Sequence, residues 1–113
     1  MTLRFAVVGT GWAAGEYVRA IRANRDCEVY AVVSRDEERA KRLLADNGME
    51  ARVYTDFDRA VSDPAVDAVV LCSTPDVRPE QAVLAARHGK HMILEKPLAM
   101  DRAGLDRMTE ALR

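Results

Sequence analysis

Only two cysteines occur in the 113 residues, and Cys27 and Cys72 stand far apart without paired spacing, so neither a disulfide framework nor a zinc site is indicated. Neither sign of charge is in surplus: 17 Lys and Arg face 18 Asp and Glu, a formal net charge of -1. That balance excludes the basic footprint of a nucleic-acid binder. No block of like charges suggests a membrane-surface arm or an acidic tail. Long hydrophobic runs are missing as well; the longest, such as Ala68 to Cys72, are far too short to span a bilayer. Apolar residues 5 to 8 end at Gly9, without the longer apolar core and small-residue cleavage site of a secretory signal. What is present is a globular composition, 49% hydrophobic and 31% charged. The length suits one compact domain, residues 1–113, and the chain reads as soluble and cytoplasmic.

Strand and helix patterns alternate along the chain. Leu3 to Val8 is a short apolar run, Arg4 apart, as in a strand buried on both faces. From Trp12 to about Arg22, Ala14, Tyr17, Val18 and Ile21 recur at helical spacing. A strand over Val29 to Val33 precedes a helix whose first turn holds Asp36, Glu37 and Glu38, whose inner face is Ala40, Leu43 and Leu44, and which Gly48 stops. Arg52 to Tyr54 reads as a brief strand, Phe57 to Val61 as a short helix, and Ala68 to Cys72 as a fourth strand. Pro79 fits the first position of a helix with Val83, Leu84 and Ala86 on its buried side, closed by Gly89. His91 to Leu94 gives a fifth strand, and Leu105, Met108 and Leu112 mark the inner face of a last helix. This alternation predicts an α/β fold: a doubly wound parallel sheet of about five strands with right-handed crossovers and helices on both faces.

Gly9-Thr10-Gly11-Trp12-Ala13-Ala14 lies between the first strand and the first helix and matches G-x-G-x-x-G/A, with Ala14 in the third place. The first glycine permits a tight turn. The second lets the backbone come close to a pyrophosphate seated on the free N–H groups and positive end of the helix. The alternative is a plain glycine turn, and the strand-turn-helix setting favours the dinucleotide reading.

A ribose with a free 2′-hydroxyl is usually held at the end of the second strand by Asp or Glu. This sequence has Ser34-Arg35 there, with Arg39 one helical turn on. A carboxylate repels a 2′-phosphate, whereas arginine offers it a planar fork worth about 1.5–3 kcal/mol. The pattern points to NADP over NAD. In the competing reading Arg35 and Arg39 are solvated helix-face charges and Asp36 takes the ribose.

Glu95-Lys96-Pro97 follows the fifth strand. Together with Tyr54-Thr55-Asp56, Val66 to Val70, Ser73-Thr74-Pro75 and Gly89-Lys90-His91, it resembles the glucose-fructose oxidoreductase / inositol dehydrogenase (Gfo/Idh/MocA) family, over nearly the whole chain and in the right order. The resemblance implies the N-terminal Rossmann domain of an NAD(P)-dependent oxidoreductase acting on a sugar, a polyol or a related carbinol or carbonyl substrate. It places Gly9, Gly11, Trp12 and Ala13 along the pyrophosphate and Ser34 and Arg35 at the adenosine ribose; Thr10, within the same loop, and Arg39, by its spacing from Arg35, complete the candidate cofactor-binding residues. Ser73, Thr74 and Pro75 then pass beside the cofactor, and Glu95 and the catalytic Lys96 reach the nicotinamide and substrate. A lysine at the carboxyl end of a parallel strand can stabilise the alkoxide-like charge that grows in hydride transfer. Read alone, the pair favours a surface lysine bound to Glu95; the resemblance reverses that reading. A cis Lys96-Pro97 bond is the rarer geometry, and one that would help aim the ammonium inward.

The sequence departs from the family where Asn and a nearby His often follow Thr-Pro; here the stretch is Asp76-Val77-Arg78-Pro79. The family's C-terminal domain and the sixth Rossmann strand have no counterpart in the 113 residues, so the chain is expected to bind cofactor without turnover and, with an uncovered sheet edge, to form a homo-oligomer. The alternative is a stand-alone nucleotide-binding or assembly module. His88 and His91 lack a third partner for a metal, and Cys72 lacks an activating base. Met92, Met100 and Met108 read as core or interface filling, while Trp12 either packs over the glycine loop or shields the cofactor.

Overall fold

Runs of β-branched and small apolar residues with little polar interruption are suited to strands covered on both faces, and here they build one sheet. A computed structural model describes residues 2–113. The strands are β1 (Leu3–Val8), β2 (Cys27–Val33), β3 (Arg52–Tyr54), β4 (Ala68–Leu71) and β5 (His91–Leu94). Between and after them lie α1 (Trp12–Arg22), α2 (Glu37–Asp46), α3 (Phe57–Ser62), α4 (Arg78–Arg87) and α5 (Arg102–Ala111). All neighbouring strands pair in parallel, in the order β3-β2-β1-β4-β5. The order reverses beside β1, and such a switch point opens a crevice at the carboxyl ends of the strands.

The pleat sends alternate residues into two cores. Phe5, Val7, Ala68 and Val70 pack with Ala14, Val18, Ile21, Ala40 and Leu44 of α1 and α2. Ala6, Val8, Val69 and Leu71 pack with Ala60 and Val61 of α3, Ala82 and Ala85 of α4, and Met108 of α5. A register shift between Phe5 and Ala6 leaves Tyr30 as the extra residue on β2, since Phe5 pairs with Val29 and Ala6 with Ala31. The bulge lets Tyr30 and Ala31 both face the α3 side. There the Tyr30 and Tyr54 hydroxyls both donate to Asp63 Oδ2, at 3.1 and 2.5 Å.

Two helices turn a different face inward from the one their periodicity suggests. In α4 the buried residues are Arg78, Pro79, Ala82 and Ala85, with Val83, Leu84 and Ala86 only half-buried. Two alanines one turn apart let the helix lie close on β4 and β5. In α5 Met108 is buried as expected, but Leu105 and Leu112 are exposed and Gly104 takes the inner position. A Cβ there would stand 3.1 Å from Pro79 Cγ and 3.2 Å from Ala99 Cβ, so close approach to α4 decides the face. Smaller differences concern the ends: β2 begins at Cys27, Cys72 lies just past β4, Leu3 is exposed, and α4 starts one residue before Pro79. The Lys96–Pro97 peptide is cis. Among the described residues no helix is long and apolar enough to cross a membrane, and no cluster of three metal-ligating side chains occurs.

Candidate functional site

The sheet ladder runs on into the loops at its carboxyl end and fixes their relative positions. Gly9 N–H donates to Val33 O at 2.9 Å, Cys72 N–H to Val8 O at 2.9 Å, Ser34 N–H to Tyr54 O at 2.9 Å, and Glu95 N–H to Leu71 O at 3.4 Å. The loops that carry Gly9, Ser34, Ser73 and Glu95 therefore all stand at this one end of the sheet.

Gly9 has φ +115°, and a Cβ on it would stand 3.0 Å from the Cys72 carbonyl oxygen. Only glycine fits both demands. Gly11 is different: it occupies the N-cap of α1 in an extended conformation, and nothing lies within 4 Å of where its Cβ would be. No side chain caps α1 and its first turn holds no acidic residue. By contrast α2, α3 and α5 are capped by the carboxylates of Asp36, Asp56 and Asp101. Among the described residues the first N–H groups of α1 thus have no side-chain partner, and they carry the positive end of an 11-residue helix. That arrangement suits a phosphate.

A cleft of about 430 Å³ runs beside this turn, lined by Gly9, Ser34, Arg35, Thr55, Phe57, Ser73, Thr74 and Gln81 among others. Ser34 Oγ accepts from Asp36 N–H at 3.1 Å. The Asp36 carboxylate accepts from Arg39 N–H at 3.2 Å and pairs with Arg39 Nε at 3.5 Å, so it is engaged in capping α2. The Ser73 hydroxyl donates to Gln81 Oε1. A hydrogen bond from Thr74 holds the Asp76 carboxyl below the usual carboxylate range, and the charge of Arg35 adds to this. Thr10, Gly11 and Arg39 line a second pocket of about 270 Å³ with Arg42, Leu43 and Asp46. The singled-out residues are thus divided between two adjoining hollows. Trp12 is 80% exposed, which leaves the packing alternative without support. Ala13 is half-buried on α1, and Pro75 lines neither hollow.

Glu95 and Lys96 follow β5 and also lie outside both hollows. The Glu95 side chain is turned to α1, where Oε1 accepts from the Tyr17 hydroxyl at 2.6 Å. That hydrogen bond, helped by burial and the carboxylate's charge, pushes the Tyr17 hydroxyl up to about 12. The Lys96 side chain is exposed. Burial, with the negative Glu95 nearby, pushes the Cys72 thiol up to about 11, so it is a poor nucleophile.

Sequence reasoning missed two participants. Tyr17 looked like core, yet its hydroxyl reaches the loop bearing Lys96. Arg78 is buried and its guanidinium donates to the carbonyls of Glu95, Pro97 and Ser73. One signal was available: a cation in the first turn of a helix opposes the helix dipole and calls for a partner elsewhere.

The sequence matches, over residues 3–113, the family described as "Oxidoreductase family, NAD-binding Rossmann fold". It is 32% identical to scyllo-inositol 2-dehydrogenase (NADP(+)) IolU of Bacillus subtilis, over 98% of this chain and 34% of that protein. It is 38% identical to 1,5-anhydro-D-fructose reductase of Ensifer adhaerens, over 97% of this chain and 33% of that one. Among solved structures, myo-inositol dehydrogenase from Lactobacillus casei in complex with NAD(H) and myo-inositol superposes with a TM-score of 0.91 at 29% identity, covering 98% of this chain and 33% of the other. KijD10, a 3-ketoreductase from Actinomadura kijaniata in complex with TDP-benzene and NADP, gives 0.86 at 31% identity, covering all of this chain and 35% of that one. The chain spans about a third of the length of these relatives. With its parallel sheet, glycine turn and uncapped first helix, the chain belongs to the Gfo/Idh/MocA oxidoreductase family and is an NAD-binding Rossmann domain of it.

Proposed function

We propose that this domain binds NADP in preference to NAD and serves hydride transfer between the nicotinamide and a sugar, polyol or related carbinol or carbonyl substrate. The observation that carries the reading is the free N-terminus of α1, opening at Gly11 and flanked by the cleft that holds Ser34 and Arg35. The residues fit a dinucleotide. Backbone N–H groups after Gly11, beside Thr10, would hold the pyrophosphate, and Ser34 and Arg35, with Arg39 from the adjoining hollow, the phosphorylated ribose. Asp36 is occupied in capping, which argues against its taking a ribose hydroxyl. Ser73 and Thr74 would line the path toward the nicotinamide. The cofactor, when bound, supplies the hydride chemistry.

In this reading Lys96, held after β5, donates a hydrogen bond to the reacting substrate oxygen and stabilises its developing negative charge. Glu95 acts through its carboxylate bond to Tyr17 and keeps the loop in place. The 113-residue chain on its own is expected to bind cofactor without turning over a sugar alcohol.

The test is calorimetric titration with NADPH and NADH. Arg35→Ala should weaken NADPH binding by about tenfold or more, the worth of a charge-assisted hydrogen bond, and NADH binding much less. Equal losses for the two cofactors would overturn the 2′-phosphate assignment, and no binding of either would overturn the whole reading.

A further inference from the structure

Arg78 is the one fully buried charged residue among the described residues, at 4% exposure, and no part of the cofactor reading accounts for it. It forms no ion pair among the described residues. A buried guanidinium cannot shed its charge, so its desolvation has to be offset by hydrogen bonds. Its Nε is buried without a partner, and the two terminal nitrogens provide the compensation. Nη1 donates to Glu95 O at 2.7 Å and to Pro97 O, and Nη2 donates to Ser73 O.

The identity of those acceptors matters. Glu95 and Pro97 flank Lys96 on both sides, so one planar group holds the backbone before and after it. Ser73 lines the cleft at the end of β4, so the same group ties that loop to the cleft floor. From the opposite side the Glu95 side chain is held by Tyr17 on α1. The main chain at Lys96 is therefore braced from two helices while its side chain stays exposed. An ammonium at position 78 would be a point donor and could not reproduce the fork.

We infer that Arg78 is a positioning residue: it fixes the Glu95–Pro97 backbone against Ser73 and so sets where the Lys96 ammonium stands relative to a bound dinucleotide. This rests on the proposal that Lys96 works beside the cofactor. Small displacements of a reacting group are costly even when binding survives, which is why such a brace is of use.

Three lysines occur in the chain, Lys41, Lys90 and Lys96, so ¹³C reductive methylation gives few enough NMR signals to follow each one, with Lys96→Arg for assignment. NADPH is titrated into wild type, R78Q and R78K. The wild-type Lys96 signal should move on binding while Lys41 does not. In R78Q the NADPH dissociation constant should change by less than about threefold, whereas the Lys96 response should fall to about half or less. R78K should lie between. A merely structural arginine would lower the melting temperature of R78Q and leave the Lys96 response intact, and that result overturns the proposal. Should R78Q fail to fold, a full wild-type response in R78K overturns it equally. A wild-type Lys96 signal indifferent to bound NADPH would instead sink the premise about Lys96, and the positioning role with it.

Discussion

The Tyr17 hydroxyl donates to Glu95 Oε1 at 2.6 Å across 78 residues of sequence, joining the first helix to the loop after the last strand. Tyr17→Phe removes a hydrogen bond to a charged acceptor and should cost about 1–2 kcal/mol in denaturant unfolding. The bond raises the tyrosine from its ordinary 10.0 to about 12, so its contribution is complete below pH 10 and fades as pH climbs toward 12. Wild type should therefore lose stability over that alkaline range, and Tyr17→Phe should lose less. Parallel pH curves for the two proteins would contradict the link.

Asp63 gathers the Tyr54 and Tyr30 hydroxyls and the Ala65 N–H. The Tyr54 hydrogen bond leads in holding its carboxyl below the ordinary 3.8. A depressed carboxyl stabilises the fold above its unfolded value and loses that contribution as pH falls through the folded one. Asp63→Asn should destabilise by about 1–3 kcal/mol at pH 7. The gap from wild type should narrow below pH 3.8, as read by urea midpoints at several pH values.

Gly9 meets two constraints together, a positive φ and the Cys72 carbonyl. Gly9→Ala should destabilise by about 1–3 kcal/mol and displace the turn. Melting temperature and NADPH affinity should both fall; a variant as stable as wild type would show that the turn relaxes without strain.

The alternation of strands and helices was legible because it depends on short-range periodicity, and the glycine motif because its neighbours in sequence are its neighbours in space. The contacts that brace Lys96 were not. Arg78 lies 17 and 19 residues from two of its acceptors, Glu95 and Pro97, and nothing local reveals that they meet. Tyr17 fitted the apolar stripe of α1, so its hydroxyl carried no separate signal. In α5 the leucine spacing suggested Leu105 and Leu112, but the close contact of Gly104 with Pro79 and Ala99 rotates the helix to bury Met108 and Gly104 instead. The β2 bulge that frees Tyr30 for Asp63 is likewise a property of pairing rather than of composition.

If the free amides at the start of α1 exist to receive a diphosphate, supplying them with a permanent partner should separate stability from binding. Gly11 already has the extended N-cap backbone that aspartate adopts at positions 36, 56 and 101. Gly11→Asp should hold or raise stability by a few tenths of a kcal/mol, roughly the gain of a capping carboxylate. Its NADPH affinity, measured by titration calorimetry beside wild type, should drop by about tenfold or more as the carboxylate takes the amides and repels the diphosphate. A capped variant that binds NADPH as tightly as wild type would contradict the account.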